Sequence, residues 1–227
     1  MKVFGRKRGY KLKSLKKKKF EKIFPKLNLD STKKIDKNTF TNLPCNIKQI
    51  WLEIGYGNGE HLNWQLENNP NVAFLCCDPY LNGTANLVTS IKEENYERIK
   101  VSMEDGTLLL ELLPSNFISK AFILFPDPWP KKKHHKRRLI NSDTIKELSR
   151  VMKTNAELRV ATDNPSYCAW ILHYFLNSEN FIWNADSKED FIKKPLDWPQ
   201  TRYEKKALLK GNNPIFLIFT KKKNKHY

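Results

Sequence analysis

The chain has 227 residues, enough for one full α/β domain with a buried core and cramped for two. Its 41 basic residues against 24 acidic leave a formal charge of +17, which favours a polyanionic partner, although charge alone divides evenly between nucleic-acid binding and a solvated lysine surface. There is no run of about 18 apolar residues and no apolar stretch of the kind a secretory signal needs, so no membrane partner is expected and the protein reads as cytoplasmic.

In chain order, residues 1–26 hold twelve Lys or Arg, one acid (Glu21) and few large apolar residues, which predicts a basic, flexible N-terminal arm. Residues 27–48 are polar and irregular, a lead-in segment. From Gln49 onward, residues 49–227 read as the main domain: short apolar runs at 49–54, 72–77, 98–103, 120–125 and 156–161 alternate with helical periodicity at 60–68, 81–93, 107–113 and 141–152. Ser142 or Asp143 is available to cap the last of these. Asn164 can cap a helix that starts at Pro165 and buries Cys168, Ile171, Leu172, Phe175 and Leu176. Runs at 181–184 and 214–220 complete a doubly wound, mainly parallel seven-stranded sheet of class α/β.

Cys45, Cys76, Cys77 and Cys168 show no metal-ligand spacing, and three of them sit in apolar surroundings, so they read as reduced core thiols. None of the five histidines stands at a metal-binding interval from a cysteine or carboxylate, and no metal is predicted. The sequence leaves monomer and homodimer both open.

In open α/β sheets, ligands sit outside the carboxyl ends of the strands. Here Glu53 ends the first strand, and Asp78, Asp105, Asp127 and Asp163 follow the next four, in a chain otherwise strongly basic. Any one of these acids could be an ordinary loop or cap residue. Five together suit a cationic ligand rich in hydroxyls and repel a pyrophosphate. The loop Gly55-Tyr56-Gly57-Asn58-Gly59 follows a strand and precedes a helix, yet Glu60 stands where a dinucleotide fold wants its third glycine. Glu53 is therefore read as facing the cationic methionyl end of S-adenosylmethionine, with Gly55 and Gly57 letting the backbone approach. Asp78, 23 residues after Gly55, is read as the ribose acceptor, and Asp105 as the acceptor for the adenine amino group, with Glu104 a rival for that role.

The segment from Phe125 to Arg138, Phe-Pro-Asp-Pro-Trp-Pro followed by Lys-Lys-Lys-His-His-Lys-Arg-Arg, sets a rigid acidic and aromatic turn against a dense basic run. Trp129 could stack on an unpaired base or belong to the core, and the cations could grip phosphates or line a solvated loop.

On these residues the chain closely resembles the bacterial tRNA (guanine-N7)-methyltransferase family, which modifies guanine 46 of the variable loop. The resemblance covers Phe4-Gly5-Arg6-Lys7-Arg8-Gly9, Leu52-Glu53-Ile54-Gly55, the proline-rich turn with its basic run, Ala161-Thr162-Asp163 and Thr201-Arg202-Tyr203-Glu204. It implies a class I S-adenosylmethionine-dependent methyltransferase fold, a cofactor site lined by Glu53, Asp78, Asp105 and Asp127, and tRNA contacts from Lys131, Asp163 and Thr201, Arg202, Tyr203 and Glu204. Two positions depart from the family pattern: Cys77-Asp78 stands where glutamate is usual, which leaves Asp78 one methylene short, and Pro130 replaces a polar residue. N7 of guanine is already nucleophilic, so no general base is expected, and Asp127 and Asp163 are the candidates to hold the base. The rival readings are a non-catalytic RNA-binding protein on this scaffold, or an enzyme of the same fold acting on another RNA or on protein.

Overall fold

The computed structural model describes residues 7, 9–32, 35–36, 39–40 and 43–223. The chain divides into two compact units, Met1–Pro114 and Ser115–Tyr227.

The first unit runs α1 (Ser14–Leu27), β1 (Gln49–Ile54), α2 (Glu60–Asn68), β2 (Val72–Cys77), α3 (Leu81–Ser90), β3 (Ile99–Ser102) and α4 (Gly106–Leu112), with a 3₁₀ turn at Glu93–Arg98. β2 pairs in parallel with β1 and with β3. All six residues of β2, Val-Ala-Phe-Leu-Cys-Cys, are buried, as expected of a strand flanked on both edges and covered on both faces.

The second unit runs β4 (Ile118–Leu124), α5 (Ser142–Val151), β5 (Met152–Thr162), α6 (Pro165–Leu176), β6 (Phe181–Trp183), α7 (Glu189–Ile192), α8 (Arg202–Leu209) and β7 (Ile215–Lys221), with a 3₁₀ turn at Lys132–Arg137. β4 and β5 are parallel, while β7 lies antiparallel between β5 and β6. The strands together make the seven-stranded, mainly parallel sheet that the alternating pattern predicts. Among the described residues no helix is long and apolar enough to cross a membrane, and no cluster of His, Cys, Asp and Glu could hold a metal.

Several local expectations need correcting. The cap of α5 is Asn141, whose Oδ1 accepts from the Thr144 amide at 3.0 Å, rather than Ser142 or Asp143. The buried face of α6 is Tyr167, Cys168, Ile171 and Phe175, whereas Leu176 is 62% exposed, because the stripe is displaced toward the helix start. The basic N-terminal segment gave no helical reading, yet residues 14–27 are helical. Phe20, Ile23, Phe24 and Leu27 recur at helical spacing among the lysines; Ile23 and Leu27 are buried, and the Phe20 and Phe24 rings stack at 4.9 Å. Lys16 and Lys19 reach the Asn86 side chain and the Thr89 carbonyl of α3. Of the Phe4–Gly9 motif, Phe4, Gly5, Arg6 and Arg8 lie outside the described residues; the Lys7 carbonyl accepts from the Leu81 amide, and the Gly9 amide donates to Asn82 Oδ1 at 2.7 Å.

The second unit also holds an ion network. Arg159, 6% exposed, donates from both Nη atoms to the Asp197 carboxylate at 2.7 and 2.9 Å and from Nε to Glu157, while Lys120 sits 2.9 Å from Glu157. Burial raises the pKa of Glu157 and Asp197, but hydrogen bonds and charge from Lys120 and Arg159 outweigh it, and both end below the ordinary carboxylate range. The network ties the segment ahead of α8 to the middle of the sheet, which places the start of α8 at the strand ends.

Candidate active site

In the first unit, β1 delivers its chain into a loop in which Gly55, Gly57 and Gly59 have φ of 82°, 54° and 77°. A side chain there would be strained, and a Cβ at Gly55 or Gly57 would meet nothing within 4 Å, so the loop's backbone borders open space that a ligand can enter. Behind the loop there is no room: a Cβ on Gly83 of α3 would lie 2.0 Å from the Gly57 carbonyl oxygen. Asp78 braces the same loop, its Oδ2 accepting from the Gly57 amide at 2.8 Å and its Oδ1 from the Tyr80 amide at 2.9 Å.

Glu53 is 1% exposed and carries a partner that the sequence reading did not find, His61 of α2, with Nδ1 2.7 Å from Oε2. His61 Nε2 lies 3.2 Å from Gln65 Nε2, so a neutral ring with its proton on Nδ1 satisfies both neighbours, donating to the carboxylate and accepting from the amide. Asp105 caps α4, its Oδ1 accepting from the amide and hydroxyl of Thr107 at 2.9 and 2.6 Å. The amide of its rival Glu104 donates to Ser102 Oγ.

In the second unit, β4 ends in the proline-rich turn. Phe125 and Trp129, each followed by proline, have φ of 51° and 40°, conformations that cost of the order of 1–3 kcal/mol each for residues other than glycine. Packing offsets the strain at Phe125: its ring meets Tyr203 at 4.8 Å and rests against the cluster of Ala161, Trp198 and Phe216. Asp127 stands on the exposed side of the turn, yet crowding by neighbouring protein raises its carboxyl above the ordinary value of 3.8. Trp129 is half-buried, with Arg137 over its ring at 5.1 Å. Lys131, exposed, leads into the basic 3₁₀ turn. Arg138, at the end of that run, is 2% exposed, lies over the rings of Tyr167 and Trp170 at 5.0 and 4.7 Å, and donates from Nε to the Pro128 carbonyl at 2.8 Å.

Asp163 follows β5. Its Oδ1 accepts from the Tyr203 hydroxyl at 3.2 Å and its Oδ2 from Asn212 Nδ2 at 3.4 Å. Burial and the charges of Asp163 and Asp127 push the Tyr203 phenol up to about 12, so it stays a donor at neutral pH. These residues line a half-open cavity of about 340 Å³ with Pro128, Asn164, Lys206, Ala207 and Lys210, at the small end of the range of roughly 300–1,000 Å³ usual for small-molecule sites. Thr201 and Glu204 form a capping box at the start of α8: the Glu204 amide donates to Thr201 Oγ1, and the Thr201 amide to Glu204 Oε2 at 2.8 Å. Glu204 is 2% exposed, so it reaches no bulk ligand directly, whereas Arg202 and Tyr203 are exposed.

The model of the methyltransferase family described as "Putative methyltransferase" matches residues 47–217. A tRNA (guanine-N(7)-)-methyltransferase of Bartonella quintana is 36% identical over 96% of this chain and 95% of its own length, and one of Zymomonas mobilis is 37% identical over 92% and 90%. This chain belongs to the tRNA (guanine-N(7)-)-methyltransferase family. It is an S-adenosylmethionine-dependent methyltransferase. Among solved structures, the 16S rRNA methyltransferase KamB aligns with a TM-score of 0.56, 11% identity and coverage of 84% of this chain and 95% of that one. An rRNA methylase from Streptococcus thermophilus aligns at 0.53 with 12% identity, over 78% and 88%. At such identities the likeness is one of fold, and the fold is that of class I methyltransferases.

Within this methyltransferase the sequence reading missed His61, Asn212, Lys206 and Lys210, and it counted Arg138 with the cations that grip phosphates or line a solvated loop, whereas Arg138 is buried against aromatic rings. The capping pattern Thr-x-x-Glu at 201–204 was a readable signal for α8. Nothing in the local sequence pairs Asp163 with Asn212, 49 residues away.

Proposed function

We propose that this chain, in the cytoplasm, transfers the methyl group of S-adenosylmethionine to N7 of guanine 46 in the tRNA variable loop. The observation that carries this reading is the second unit's cavity, where Asp163, held by Tyr203 and Asn212, lies beside Pro128 of the turn that presents Asp127 and leads into the cationic run. The glycine loop, whose open side has room where side chains are missing, fits S-adenosylmethionine, as do the acids of the first unit. That cofactor supplies a methyl group on a positively charged sulfur. Gly55 and Gly57 would let the backbone approach, Asp78 and Asp105 would accept from its hydroxyl and amino groups, and Glu53, buried and held by His61, would act on its positive charge without touching it. Asp127 is the second unit's candidate for stabilising the positive charge of the reaction. Asp163 orients the guanine, Arg202, Tyr203 and Lys131 contact the tRNA, and Thr201 and Glu204 act by fixing the start of α8.

N7 carries its own lone pair, so these residues have no proton to remove. Positioning dominates the rate, and carboxylates near the purine favour the positive charge that develops as the methyl arrives. The pH dependence tests this. Asp127 must be ionised, and its pKa is raised, so single-turnover rates at saturating tRNA and cofactor should fall about tenfold per pH unit below that raised pKa and level off above it. Asp127→Asn should be slow and flat across the same range; a variant that keeps the acid limb would remove Asp127 from the chemistry.

The assignment as a whole is tested by incubating the protein with labelled S-adenosylmethionine and unmodified tRNA, then mapping the product by cleavage specific to 7-methylguanosine. A single hit in the variable loop is expected. Label elsewhere in the tRNA overturns the substrate assignment, and cofactor binding without transfer favours a non-catalytic RNA-binding protein.

A further inference from the structure

Tyr203 and Lys206 stand at i and i+3 on α8, Lys210 caps the helix C-terminus, and all three line the cavity beside Asp163. Both lysines are exposed, and among the described residues neither has a carboxylate within ion-pair distance, whereas Lys193 and Lys194 nearby face Glu189 and Glu204. The cavity is therefore polarised. One end offers acceptors on Asp163, and the α8 side offers two unneutralised cations. A ligand with N–H donors at one end and a single anion at the other matches it, and a guanine nucleotide is built in that way. The Asp163 charge works against an anion at its own end, which directs the phosphate to the lysines.

We propose that Lys206 and Lys210 form an anion subsite for the RNA backbone phosphate adjoining the guanosine whose base is methylated. The proposal rests on the tRNA reading above and deepens it. The pair contacts a single phosphate, so it contributes register as well as affinity: gripping that linkage fixes which nucleotide can turn its base toward Asp163. A cation at the end of a helix also has a purely structural explanation in the helix dipole, which both lysines would satisfy without any ligand. The experiment must separate the two.

The probe is tRNA with one methylphosphonate, an uncharged linkage, placed directly 5′ or 3′ of the target guanosine, with binding measured in the presence of S-adenosylhomocysteine. For the wild-type protein one of the two substitutions should weaken binding by roughly 5- to 20-fold, as the loss of one phosphate contact does. The Lys206→Gln/Lys210→Gln variant should lose a similar factor on natural tRNA and nothing further on that methylphosphonate, with its salt slope lower by about 1. Lys206→Arg/Lys210→Arg should restore both, and S-adenosylhomocysteine affinity should be the same in all three proteins. If the double variant pays the full methylphosphonate penalty on top of its own, or keeps the wild-type salt slope, the subsite does not exist. That result, with wild-type protein still methylating the mapped guanine, overturns the subsite alone; wild-type protein that methylates no tRNA guanine overturns the tRNA reading and the subsite with it.

Discussion

Replacing Gly83 by alanine should weaken S-adenosylhomocysteine binding by about 100-fold, a loss of roughly 2.7 kcal/mol, while the protein remains folded. Alanine in the interior of a helix ordinarily stabilises it by about 1 kcal/mol relative to glycine. At Gly83 the added carbon would lie 2.0 Å from the Gly57 oxygen and 2.9 Å from the Gly57 carbonyl carbon, both backbone atoms that cannot rotate away. Relief must come from displacing the glycine loop, and with it the amide that Asp78 holds. Calorimetric titration, set beside the thermal transition, checks this. Affinity within a few-fold of wild type would mean that the loop moves without harm and does not hold the cofactor.

Arg138→Leu should lower turnover by about 100-fold at saturating tRNA and cofactor, the scale expected when a reacting group shifts by about 1 Å. The guanidinium packs over two aromatic rings and donates to the Pro128 carbonyl, one residue beyond Asp127. It sets the turn without touching a ligand, and its Nη2 has no hydrogen-bond partner among the described residues. Replacing a buried cation whose hydrogen bonding is incomplete by an apolar side chain is often neutral for stability, so the thermal transition should move by only a few degrees. Arg138→Lys should not rescue turnover, because a compact ammonium lacks the planar fork that packs over two rings while donating to a carbonyl. Turnover that follows stability, with lysine as good as arginine, would reduce Arg138 to packing.

The strands were the most legible part of the fold. β2 coincides with the run at 72–77, which is apolar throughout because the strand is covered on both faces, and β1 with the run at 49–54, where Gln49 and Glu53 are the polar exceptions. α1 was obscured because six of its fourteen residues are lysine and a proline stands inside it, and composition outweighed spacing. α8 was obscured because it is short and polar, although its capping pattern was present. At the site, the acids at the strand ends were visible as a set, because a parallel sheet places its strand ends together. Their partners were not. His61 reaches Glu53 only after the chain has turned from strand to helix, and Tyr203 and Asn212 reach Asp163 from 40 and 49 residues away. Glu204, named as a substrate contact, proves buried in a cap, because a sequence motif records which residues matter without saying whether they face the ligand or hold the neighbour that does.

Under the proposed function, Asp78 joins both duties in one side chain. Its carboxylate accepts from Gly57 and Tyr80, so with the proposed ribose contact added, an alanine there deletes that acceptor and the brace of the loop in one stroke, and the measured loss cannot be divided between them. Only a thermodynamic cycle that also varies the ligand, comparing a nucleoside with its deoxy analogue on both proteins, separates recognition from scaffolding at this position.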